Sequence, residues 1–354
     1  MKDAMVRPLD NTRMVALDAV RFVANYLVVA IHFMILLGSD CQVGGDYVFW
    51  KWVSQALAPI AMPTLFFISG YLFYAGRGYA GKLRRRVGRL LVPYFLWNLM
   101  VGTFFAMLCL LGINKAASAD LNSPTGLLAW LMRKTISLWS APADMPTWYI
   151  RAILVYCVLS PILSFFICGR YLLVRLVWLA FGISAFEYFL AETGHSGNFL
   201  YTFPPYSLLC FCAGGVTCVS DLGLEWLYGK WRFAWFGAGI VALAISVSLP
   251  EPPGLACWLK LCEVLILFAV APELQKVYSL MPEWVCAASF WVYVTHLPVF
   301  LFESSFVPKL PFNSTTLLLA VGVSVMLTIC LGSFVLVRKW APRVSKVLNG
   351  QLKI

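Results

Sequence analysis

The chain of 354 residues is 61% hydrophobic and only 12% charged, with a net charge of +11 and a mean hydropathy of +0.81. A soluble domain averages about 25% charged residues, which excludes a soluble globular protein. A transmembrane barrel is excluded as well: its strands would alternate over about ten residues, whereas apolar runs of about 18 or more recur here.

These runs predict an all-α polytopic transmembrane bundle of about ten spans, one domain over residues 1–354. In chain order the spans are expected near Val15–Leu37, Val53–Ala75, Arg89–Gly112, Thr147–Cys168, Tyr171–Ala191, Pro204–Val219, Phe233–Leu249, Ala256–Lys276, Val285–Phe306 and Ser314–Val337. An even number places both termini on one side. With that side cytoplasmic, about 19 of the 27 basic residues fall in inner segments, as the positive-inside rule requires. Much of the basic excess is therefore topology, directed at membrane lipids, and nucleic acid has little support as a partner. The first span lacks a small-residue cleavage site and is expected to stay as a signal anchor.

That first span carries a polar seam of Asp18, Arg21, Asn25 and His32. In one helix, the eleven steps from Arg21 to His32 at about 100° each return near the same azimuth, with a rise of roughly 16–17 Å. Ionisable residues inside a membrane are expensive, so the seam reads as a functional site. His32 has the chemistry of a general base, and Asp18 is placed to orient the Arg21 guanidinium. A structural histidine, or an arginine snorkelling to the headgroups, is the plainer alternative.

The most basic segment, Gly76–Arg89 (GRGYAGKLRRRVGR), reads as a cytoplasmic loop. It either fixes topology and binds anionic lipid or forms a phosphate clamp, with Arg85 beside Arg86 and Arg89. Pro93 falls in the first turns of the span that follows. In the long loop Ile113–Pro146, the stretch Thr125–Ser140 is amphipathic and suits a surface helix. Trp148, Tyr149 and Arg151 open the fourth span from outside. The two aromatics fit an interfacial belt, but Arg151 lies one turn into the membrane. His296 is mid-span beside Thr295 and Pro298, either a partner for backbone groups freed at the kink or part of a site. Glu187, Glu263 and Glu303 are further intramembrane carboxylates. Gly194–Asn198 and Pro250–Gly254 read as tight outer turns. Most of the eleven cysteines fall in apolar runs and act as small hydrophobes. Only Cys41 and Cys257 are expected outside, and no metal-ligand spacing appears.

Five motifs together carry a resemblance. LDAVRFVANYLVVAIHF resembles the first helix of the membrane acyltransferase-3 family, whose signature is Arg or Lys, ten residues, then His; here these are Arg21 and His32. LFFISGYLF (Leu65–Phe73) resembles that family's Phe-Phe-x-x-Ser-Gly helix, and RRVGRLLVPYFLW its Arg-x-x-Arg segment (Arg86, Arg89). PTWYIRAILVYCVLSP resembles its Trp-Tyr helix, and SFWVYVTHLP its Tyr-x-x-His helix (Tyr293, His296). The family usually has Gly after the first-helix Arg, where this chain has Phe22.

The resemblance implies a bacterial inner-membrane O-acyltransferase that moves acetyl, or succinyl, from cytosolic acyl-CoA to a hydroxyl of an extracytoplasmic or lipid-linked envelope glycan. Acyl-CoA is then a co-substrate, with no permanently bound cofactor and no metal. Phosphates at Arg21, Arg85, Arg86 and Arg89 would place a thioester near His32, as general base or as acyl carrier. Trp148, Tyr149, Arg151, His296 and Asn25 would face the acceptor. Two other readings stay open. One is a proton-coupled exporter of an envelope precursor using Asp18, Arg21 and His32 as a relay; the other is a non-catalytic scaffold.

Overall fold

Long apolar runs in lipid can satisfy their backbone polar groups only within helices, and helices fill this chain. The computed structural model describes residues 11–37, 45–75, 79–110, 124–136, 141–193, 203–220, 223–249 and 254–351, and no strand occurs among them. Cys41, most of the Gly194–Asn198 and Pro250–Gly254 turns, and much of the Ile113–Pro146 loop lie outside the described residues.

A helix stands at each of the ten predicted places. They are α1 (Asn11–Ile31), α2 (Tyr47–Trp52) leading into α3 (Ala61–Tyr74), α4 (Tyr79–Arg86) leading into α5 (Val92–Leu110), then α7 (Trp148–Ile167), α8 (Leu172–Glu192) and α9 (Pro205–Val219). Between these, α6 (Pro124–Ile136) packs on α5. The short α10 (Glu225–Tyr228) precedes α11 (Arg232–Ser248), α12 (Ala256–Ala269), α13 (Ala271–Leu280), α14 (Glu283–Glu303), α15 (Thr315–Trp340) and α16 (Pro342–Leu348). Seven of these stretches are long and apolar enough to cross a membrane, while α9 and α11 are shorter apolar helices.

Three expectations are corrected. The first span is not one α-helix to Leu37: α1 stops at Ile31, and Phe33–Leu37 is a 3-10 helix. The Ser54 hydroxyl donates to the Ile31 carbonyl at 2.8 Å, and the Ile35 N–H turns to the His32 carbonyl at 3.0 Å instead. The eighth span breaks at Val270, because Pro272 has no N–H and opens the new helix α13. The basic segment is helical rather than a loop over its described part: α4 passes through a π-helical turn, Val87–Leu91, into α5.

α3 sits at the centre: the Tyr47–Tyr74 stretch that it ends has 78% of its apolar window buried, against 11% for α8 at the periphery. A helix apolar all round belongs inside, and α3 makes its most extensive contact with α9. The outward faces of α7, α8 and α11 carry Ile162, Phe165, Trp178, Phe181 and Phe233, large exposed apolar groups that suit lipid rather than water. The Asp46 carboxylate caps α15. It accepts from the Thr315 and Thr316 N–H groups at 3.1 and 2.7 Å and from the Ser314 and Thr316 hydroxyls. These bonds hold its pKa well below the ordinary carboxylate value.

Candidate functional site

In the middle of α1 the predicted seam closes on itself: the Arg21 guanidinium donates to Asp18 at 2.6 Å. Phe22, where the family has Gly, packs its ring 4.8 Å from Tyr26 and 5.6 Å from Tyr278 of α13. α4 and its π turn bring Arg86 and Arg89 to the same place as Arg21. These three arginines line a cavity of about 310 Å³ that also takes in Asn25, Ser69, Tyr149, Ser289 and Tyr293. Inside it the Asn25 amide points to the Ser289 hydroxyl at 3.5 Å. A second cavity, about 340 Å³, shares Arg21, Arg86 and Arg89 and adds Asp18, Lys82 and Arg85. The two cavities thus bring together Asp18, Arg21, Arg85, Arg86 and Arg89, with Asn25, expected on the acceptor side, beside them.

The C-terminus supplies a wall that the sequence did not suggest. α16 docks on α5 through the Trp97 indole, which donates to the Leu348 carbonyl at 3.0 Å, and Asn349 donates to Ala287 at 2.8 Å. Gly350 then lines the cavity with a left-handed φ of 67°. A Cβ there would lie 2.4 Å from the Arg89 carbonyl.

Two tyrosines line the 310 Å³ cavity. The Tyr149 hydroxyl donates to the Leu65 carbonyl at 3.0 Å and so receives the Ser69 hydroxyl at 2.7 Å. Tyr293 donates to the Pro146 carbonyl at 2.5 Å, and the two rings stand 6.1 Å apart. His32 does not line the cavity. It stacks on His296 instead, with centroids 5.2 Å apart at 30°, one turn beyond Tyr293. Both neighbours of His296 Nδ1 are carbonyl oxygens, Tyr293 at 2.8 Å and Val292 at 3.2 Å. Nδ1 must therefore carry the proton, which leaves Nε2 with a lone pair. No described group bonds that nitrogen, and the side chain is fully buried.

Trp148 and Arg151 are not brought to the cavity. Trp148 packs on Phe66 at 5.7 Å, and the buried Arg151 lies over Phe203 at 6.0 Å. The turn before them is clamped by Asn98, which donates to Thr147 Oγ1 at 2.8 Å and accepts the Asp144 N–H at 3.1 Å. In the sequence the only signal of this asparagine is a lone amide in an apolar run.

Asp144 is fully buried, with no hydrogen bond to its carboxyl among the described residues. Burial alone raises its pKa well above the carboxylate range. A folded state that holds the extra proton loses stability as pH climbs past the ordinary value of about 3.9. Asp144→Asn is therefore expected to melt at or above the parent temperature at pH 8, with the difference shrinking toward pH 4. A lower melting temperature at pH 8 would show that the carboxylate is ionised and paired.

Among the described residues no group of three or more His, Cys, Asp or Glu could hold a metal ion. Cys257 is buried and its thiol points to Glu187 at 3.3 Å.

No solved structure matches this chain significantly. It is similar to the succinoglycan biosynthesis protein ExoH of Rhizobium meliloti (strain 1021), 22% identical over 338 residues that cover 86% of this chain and 84% of the relative. The acyltransferase-domain model matches residues 14–338, nearly the whole length, and with these motifs in order the chain belongs to the membrane acyltransferase-3 family.

Proposed function

We propose that this acyltransferase moves an acyl group, acetyl or succinyl, from acyl-CoA to a hydroxyl of an extracytoplasmic or lipid-linked envelope glycan. It would sit in the bacterial inner membrane, crossing it ten times with both termini cytoplasmic. One observation carries this reading: a cavity lined by three arginines and two tyrosines, one of which, Tyr293, adjoins a pair of facing imidazoles of which His296 is buried. Arg21 already has Asp18, but no described carboxylate pairs with Arg86 or Arg89. Guanidinium groups in that state favour phosphate, which they bind in a charge-assisted, bidentate fashion. From Arg21 to Ile31 the helix rises about 15 Å at about 1.5 Å per residue, a length suited to a pantetheine arm. The relative's name, with succinoglycan in it, supports a glycan acceptor.

In the proposed step His32 takes the proton of the acceptor hydroxyl as its oxygen attacks the thioester carbonyl. The C–O bond forms, the C–S bond breaks, and the leaving thiolate takes the proton back from the imidazolium. His296, fixed in one tautomer, faces His32 and steadies its charge.

Mass spectrometry of envelope glycans from cells with and without the gene tests this directly. The expected result is loss of one acyl mass, acetyl or succinyl, per modified residue in the deletion strain, restored by the intact gene. Identical glycans in both strains would overturn the acceptor assignment.

A further inference from the structure

The two cavities share Arg21, Arg86 and Arg89 but diverge on either side of them. One leads to the tyrosines. The other, a vestibule, is walled by Lys82 and Arg85, where five cations face a single carboxylate, and Asp18 is already engaged by Arg21. Lys82 is fixed rather than free to swing: its ammonium lies 5.6 Å from the centre of the Phe73 ring and 5.5 Å from that of Tyr74. Among the described residues no ion pair or hydrogen bond joins that ammonium to a carboxylate. Lys82 and Arg86 are partly withdrawn from water while Arg21, Arg85 and Arg89 stay exposed, so this concentration of like charge attracts an anion into the space.

We propose that the vestibule is a second anion site, in which Lys82, helped by Arg85, binds a terminal phosphate distinct from the one on the shared arginine wall. This rests on the acyl-CoA reading above and narrows it. The donor carries two separated anionic groups, a pyrophosphate on Arg21, Arg86 and Arg89 and a ribose 3′-phosphate at Lys82. A pantetheine held by one phosphodiester on a carrier protein, or an acyl phosphate, would leave the vestibule unfilled. An anionic lipid headgroup shares the phosphate chemistry and is the competing occupant.

The test is calorimetric titration of the full-length protein, in nanodiscs of neutral phosphatidylcholine, with CoA and with 3′-dephospho-CoA. The wild type is expected to bind CoA about tenfold more tightly, the scale of one charge-assisted contact. Lys82→Gln should weaken CoA about tenfold and leave 3′-dephospho-CoA unchanged, while Lys82→Arg keeps the preference. Arg86→Gln should weaken both ligands. If Lys82→Gln binds neither ligand, Lys82→Arg decides: a retained preference supports the proposal and a lost one overturns it. Equal affinities in the wild type, or equal weakening of both ligands in Lys82→Gln, overturn the second site and leave the donor reading standing. No binding of either nucleotide to the wild type overturns both. Nanodiscs with phosphatidylglycerol give the lipid arm. If that lipid abolishes the CoA preference in the wild type but changes nothing in Lys82→Gln, the vestibule is a headgroup site and the proposal fails.

Discussion

His32→Ala is expected to abolish acyl transfer while the protein still inserts and purifies as a folded species. Removing a general base costs about 10²–10⁴-fold, and no described side-chain hydrogen bond or ion pair is lost with the ring. Transfer from acyl-CoA to envelope glycan, read by mass spectrometry alongside the size-exclusion profile, gives both quantities. Full activity in this variant would remove His32 from the chemistry. The stacked neighbour calls for a companion, His296→Asn, which can keep an N–H directed at the Tyr293 carbonyl while deleting the Nε2 lone pair. If the two imidazoles act as one unit, the double variant should be no slower than His32→Ala alone, since groups that work together are non-additive. If His296 only fills space, His296→Asn alone should retain most of the activity. A defect confined to His296→Asn, with His32→Ala active, would transfer the base role to His296.

The pairing that makes this experiment necessary was not visible in the sequence. Helical periodicity places Asp18, Arg21 and Asn25 on one seam because they share one element, and all three do line the cavities. His32 lies at the break after α1 and His296 inside α14, and nothing local in either motif says that the rings meet. The break of α1 at Ile31 has the same origin: it depends on a serine hydroxyl arriving from another segment of the chain. By contrast, the break at Val270 had a local signal in Pro272, which cannot donate to Phe268, although α7 and α14 run on through Pro161 and Pro298. The arginines were legible as a cluster of charge but not as a cavity. That required α4 to be helical, its π turn to re-aim Arg89, and a C-terminal turn to complete the wall. Tyr149, read as an acceptor contact, lines the same cavity as the three arginines, because the Ser69 and Leu65 hydrogen bonds draw its hydroxyl toward α3.

That same helix carries the largest structural effect expected in the protein. Ser69 is followed by Gly70, and α3 meets α9 there with the two backbones in contact. A Cβ on Gly70 would lie 1.9 Å from the Phe211 carbonyl oxygen, and one on Gly214 would lie 1.9 Å from the Phe67 carbonyl oxygen. Small residues let membrane helices approach this closely, and here the obstacle is backbone, which cannot rotate away as a side-chain tip can. Overpacking costs about 1–3 kcal/mol where neighbours can shift, so Gly214→Ala should cost about 3 kcal/mol or more and leave little folded protein. Thermal melts followed by the fluorescent size-exclusion peak measure it. Gly182 and Gly237 are internal controls, since both are helical and a Cβ at either meets nothing within 4 Å. Changing either to Ala should be neutral or gain up to about 1 kcal/mol of helix propensity. A Gly214→Ala melting temperature equal to that of the controls would refute the close approach of α3 and α9. Gly70→Ala should lower activity as well as stability, because pushing α3 outward carries Ser69 away from Tyr149. Once either alanine has forced the helices apart, the second has less left to disturb, so the double variant should cost less than the sum of the two.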